Sequence, residues 1–204
     1  MLESLVFESR HHNDWARVDL TGQLRMRAFP ALCIAPVIAH LEASGIISAM
    51  REDGIARVLH AADFEQHGQS LAIGAELVVR HRLSLHISRS DPQGYPDARG
   101  QTRILWHTRY RIDTVPPGTP GTRKPVASAT TLHVLTRPHA ERTARAVTTV
   151  PPALAHLRLS PWTGRLPKPD MLGLPVEADR AFDDVWGVAN TDIKGHVNGT
   201  DYLI

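Results

Sequence analysis

Eight positions near the C-terminal end hold Asp192, Lys194, Gly195, His196, Asn198 and Gly199. A histidine that titrates near neutrality can give or take a proton, and a carboxylate beside it can orient the ring and favour its charged form. The Asn198 amide can hold a substrate or a water. Gly195 and Gly199 permit backbone turns closed to other residues and let N–H groups approach a carbonyl oxygen. Where Tyr202-Leu-Ile204 opens a helix, the N–H groups before it form a positive end suited to an oxyanion. A base, an orienting carboxylate and N–H donors are what acyl hydrolysis requires. Taken alone, Asp-x-x-x-His is more often a glycine-rich loop with an Asp cap and an incidental histidine.

The longer string Asp192-Ile-Lys-Gly-His-Val-Asn-Gly-Thr-Asp-Tyr-Leu203 resembles the D-x-x-x-H-V-N-x-x-x-Y-L signature of hotdog-fold acyl thioesterases. It is most similar to the second half of acyl-carrier-protein (ACP) thioesterases. The resemblance implies catalytic roles for Asp192, His196 and Asn198, with Gly195, Gly199 and Lys194 as substrate-binding positions. It further implies an acyl thioester of ACP or CoA as substrate, no metal or organic cofactor, and pairing of hotdog halves within the chain or in a homodimer. Plant-type members have Asn where this chain has Lys194, and often a second Asn where it has Gly199. A further catalytic residue of that family would fall beyond Ile204. A dehydratase, an acyltransferase of a polyketide pathway and a non-catalytic acyl-binding protein are the competing readings.

Elements must position these groups. Residues 4–12 read as a strand. From Phe29 to Ile46, apolar Ile34, Val37, Ile38 and Leu41 follow the helical rhythm. Small residues surround them, which predicts a helix buried nearly all round. Pro36 costs roughly 3 kcal/mol inside a helix, so the regular helix should start near Ala35 or kink there, and Gly45 is a natural stop. Strand-like runs follow at 55–67, 77–89, 102–113 and 126–137. Leu83, Leu85 and Ile87 alternate with Ser84, His86 and Ser88; Ile104, Trp106, Tyr110 and Ile112 alternate with Arg103, His107, Arg109 and Arg111. Period-two alternation means half-buried antiparallel strands. Pattern alone therefore predicts an α+β chain with an antiparallel sheet; the order matches a hotdog domain, whose sheet wraps a central helix.

A shift of 173 residues lays Ala16-Arg-Val-Asp-Leu-Thr-Gly-Gln-Leu-Arg25 over Ala189-Asn-Thr-Asp-Ile-Lys-Gly-His-Val-Asn198. Ala, Asp and Gly coincide, but Gln23 answers His196 and Arg25 answers Asn198. The expected organisation is a first hotdog at 1–137, a proline-rich linker at 138–179 and the opening of a second hotdog at 180–204.

Other candidates carry weaker signals. Glu42, near the end of the helix, is a second-rank base, read more simply as an exposed carboxylate. Cys33 reads as an inert buried thiol. Arg109, with Arg103 and Arg111, faces CoA phosphates or an acidic carrier surface, or is a solvated strand face. Trp106 and Tyr110 read as core. Apolar content of 42% and charged content of 22% suit a folded globular chain. Arginines are scattered and no basic block occurs, which argues against nucleic acid. The longest apolar run, Ala31–Ala39, is too short for a membrane span. No His pair at metal-ligand spacing sits near a Cys or carboxylate cluster, so no structural zinc is expected. The single Cys and the acidic N-terminus lead us to expect a cytoplasmic protein.

Overall fold

The computed structural model describes residues 1–163, except 15, 26–27, 69, 89–101, 117–120 and 142–143. Five long strands form an antiparallel sheet: β1 (Leu5–His12), β2 (Ala56–Gln66), β3 (Glu76–Ser88), β4 (Arg103–Val115) and β5 (Lys124–Thr136). They lie in the order β1-β3-β4-β5-β2, and a short β6 (Leu159–Pro161) pairs parallel to β3. Every strand expected from alternation is present, within a few residues of its expected ends.

The helical segment between β1 and β2 is built in three pieces. Pro30–Ile34 forms a widened π-type turn, closed by the Ala35 N–H on the Pro30 carbonyl. The regular helix α1 then runs Ala35–Ala43. Pro36 falls in its first turn, where a missing N–H costs nothing. Gly45 stops it in the left-handed conformation (φ +73°). A helix not anticipated from the sequence, α2 (Ile46–Glu52), leaves Gly45 at 76° to the preceding segment and buries Ile46 and Met50.

The expectation of a helix buried all round needs correction. Val37 and Leu41 are buried, but Ala35, Ala39 and Ala43 are exposed. Alanines favour helix without requiring burial, so an alanine-rich stripe reads as apolar while facing outward. Among the described residues no single helix is long and apolar enough to cross a membrane.

One face of the sheet, here called inner, packs on this helical segment. Leu77, Val79, Leu83, Leu85, Ile104, Trp106 and Ile112 are all 0% exposed. At roughly 1.5–3 kcal/mol for each large apolar side chain buried, this layer is the main source of stability. Residues 138–163, where described, also contribute: Val147, Leu154 and Leu157 are buried, and Leu2 bridges Leu157.

Candidate functional site

On the inner face, strand register collects a line of rings. Phe7 of β1 pairs with His81 of β3, which pairs with Tyr110 of β4. The Phe7 ring is stacked between His40 of α1 (4.1 Å) and His81 (4.4 Å). Tyr110 meets His81 edge-on at 5.6 Å, and its hydroxyl lies 3.1 Å from Thr131 Oγ1. Ser9 Oγ sits 2.8 Å from His81 Nε2 and 2.9 Å from His11 Nε2, so one hydroxyl links two imidazoles.

Burial pushes His81 down to about 4, helped by His11 and His40. It is therefore neutral at ordinary pH and serves as a hydrogen-bonding member of the core. Burial likewise drives the Cys33 thiol far upward. Without thiolate it is no nucleophile, as its place on an apolar helix suggested. His81 is in phase with Leu83 and Leu85; a histidine on the apolar register of a strand was the signal that could have marked it.

Of the catalytic and substrate-binding candidates expected from the sequence, Glu42 and Arg109 lie within the described part. Glu42 is exposed at the end of α1. Arg109 is exposed on the outer face of β4, directly opposite Arg82. The fold sets them on different sides of the sheet and does not bring them together. Asp192, Lys194, Gly195, His196, Asn198 and Gly199 lie outside the described residues. Among the described residues, no group of three His, Cys, Asp or Glu side chains is placed to hold a metal ion.

The first copy of the repeat is described. Asp19 accepts hydrogen bonds from Thr21 N (2.8 Å), Thr21 Oγ1 (2.7 Å) and Gln23 N (3.0 Å). These bonds, Thr21's first, hold its carboxyl below the usual range. Gly22 has φ +79°, and a Cβ there would sit 2.3 Å from Ser70 Oγ. The Asp-x-x-Gly pattern is thus a turn closed by its carboxylate and kept open by its glycine. Val18 and Leu24 bridge across it and are buried.

On the outer face, the alternation of β4 places His107 beside Arg109, but His107 is only 7% exposed. The Trp162 ring covers it at 5.2 Å and also meets His86 at 5.1 Å. His86 in turn bonds to Ser84 Oγ and Ser160 Oγ, each at 2.9 Å. Burial, then Arg109 and His86, pushes His107 down to about 4.

No protein-family model and no curated protein sequence matches the chain. Solved structures do. The chain superposes on a protein described as an oleoyl thioesterase from Lactobacillus plantarum with TM-score 0.63 at 15% identity, over 98% of this chain and 68% of that one. An acyl-ACP thioesterase from Bacteroides thetaiotaomicron gives 0.63 at 14%, over 97% and 70%. The 4-hydroxybenzoyl-CoA thioesterase of Pseudomonas sp. strain CBS-3 gives 0.51 at 13%, over 73% and 96%. The chain has the hotdog fold. These three hotdog structures are described as thioesterases, and a hotdog sheet wrapped on its helix is what the described strands build.

Proposed function

We propose that this hotdog chain is an acyl-thioester hydrolase acting on an acyl group carried by ACP or CoA. One coincidence carries the reading: the hotdog sheet and the Asp192-x-x-x-His196-Val-Asn198 motif occur in one chain. In this reading His196 is the general base or acid, Asn198 holds the attacking water or the substrate, and Gly195, Gly199 and Lys194 line the thioester. The described copy of the repeat supports a role for Asp192. Asp19 binds the N–H groups of Thr21 and Gln23, the positions that align with Lys194 and His196. On that alignment we infer that Asp192 is a positioning residue for His196.

A hotdog half also needs a neighbour. We place it at β2, an edge strand of 11 residues whose Val58 and Leu59 are 52% and 47% exposed. A second hotdog half or a second copy of the chain would pair there.

Steady-state hydrolysis of acyl-ACP and acyl-CoA tests the reading. His196→Ala should lower kcat by about 100-fold or more while acyl-ACP binding is retained, and Asp192→Asn should lose less. Unchanged hydrolysis in both variants would discard the site. Acyl binding with no turnover in the unaltered protein would instead establish a binding hotdog.

A further inference from the structure

The outer face of β3 and β4 carries arginines in a placement that the fold itself disfavours. Arg82 lies directly opposite Arg109, and Arg80 directly opposite Arg111. Like charges facing each other across a strand pair are destabilising. With strands about 4.8 Å apart and same-face neighbours about 6.8 Å along each strand, the four guanidinium groups form a compact basic array. The nearby acids are already engaged. Glu8 takes a two-pronged contact from Arg123, Glu76 pairs with Arg10 at 2.6 Å, and Asp113 with Arg111 at 2.9 Å. Arg80 shares Glu8, which it faces across β1, so Arg82 and Arg109 remain in excess.

Two adjoining hollows open over this array, about 270 Å³ and about 630 Å³, and share Arg82 and Arg109. The smaller also receives Arg158 and Ser160 from the chain entering β6, with Ser84 and His86 of β3. Arg82 is oriented by Ser4 Oγ, 3.1 Å from its Nε. Among the described residues Glu3 is the one carboxylate lining it, held loosely by Arg158 at 3.8 Å with both side chains largely exposed.

We propose that this face binds a phosphate-bearing small molecule, gripped by Arg82 and Arg109 and closed by Arg158, Ser84, Ser160 and His86. Guanidinium forks match phosphate oxygens two at a time, and hydroxyl groups complete the remaining directions. Converging donors in a hollow favour a compact phosphate over the spread carboxylates of a protein surface. The ligand also removes the repulsion built into the paired arginines. This inference does not rest on the thioesterase reading.

Calorimetric titration of the whole protein with inorganic pyrophosphate, ADP and citrate at low salt tests it. Pyrophosphate and ADP should bind, and citrate, of similar charge, should bind much more weakly. Arg82→Ser and Arg109→Ser should each weaken pyrophosphate about tenfold or more, a loss of about 1.4 kcal/mol or more. Their thermal midpoints, measured without ligand, should be unchanged or raised, which separates lost binding from lost folding. Either ranking of ADP and pyrophosphate supports the site and tells whether a base adds to the phosphates. Citrate binding as tight as pyrophosphate, no heat from either phosphate, or affinity untouched in both variants would overturn it.

Discussion

On the inner face of the sheet, His81, Trp106 and Tyr110 lie buried under the helical segment, while Arg80, Arg82, Arg109 and Arg111 stand exposed on the outer face of the same two strands. Trp106 and Tyr110 are satisfied within the fold: Trp106 Nε1 donates to Thr108 Oγ1 at 3.2 Å with Arg57 4.9 Å over its ring, and the Tyr110 hydroxyl lies 3.1 Å from Thr131 Oγ1. The outer groups are arranged against their own interest and gain by meeting something else. Stability is therefore concentrated on one face, and capacity for recognition on the other.

Acid should have the largest effect on stability, through buried histidines of both faces. Burial pushes His81, His107 and His133 down to about 4 from the ordinary 6.5. The unfolded chain binds more protons between those values, so stability is complete above pH 6.5 and falls as pH drops toward 4. At about 1.4 kcal/mol per pKa unit for each well-shielded histidine, the combined loss is the largest effect expected. Denaturant midpoints measured from pH 7.5 to 4 would show it, and a flat profile would mean that the histidines are solvated.

Trp106→Ala comes next, with about 3–5 kcal/mol lost to transfer and cavity terms, read from urea unfolding. A loss under 1 kcal/mol would place Trp106 outside the core. Gly22→Ala should cost on the order of 1–3 kcal/mol, from the left-handed backbone and the clash with Ser70. Tyr110→Phe should cost about 1 kcal/mol, the worth of its bond to Thr131. Arg109→Ser should change stability by no more than about 0.5 kcal/mol. An outer-face arginine that cost as much as Trp106 would erase the distinction between the faces.

Several of these features were legible in advance for specific reasons. Leu83-Ser-Leu-His-Ile87 alternates, so β3 could be read as half-buried; Pro36 and Gly45 marked the helix ends through their backbone chemistry. Trp106, Tyr110 and Cys33 were correctly read as core. Others were hidden. The exposure of Ala35, Ala39 and Ala43 was not legible, because alanine is as compatible with water as with a core. The burial of His107 depends on Trp162, 55 residues away in sequence, and nothing local announces that contact.

The sequence by itself determined the strands, a break in the helical segment near Ala35 and its stop at Gly45, because these follow from side-chain periodicity and from what proline and glycine do to their own backbone. Only the tertiary structure decided that Arg82 faces Arg109, that Ser160 reaches His86, and that Phe7 is stacked between His81 of a strand and His40 of a helix. Register across a long connection and the parallel docking of β6 are set by the summed packing of distant surfaces, which no local pattern encodes.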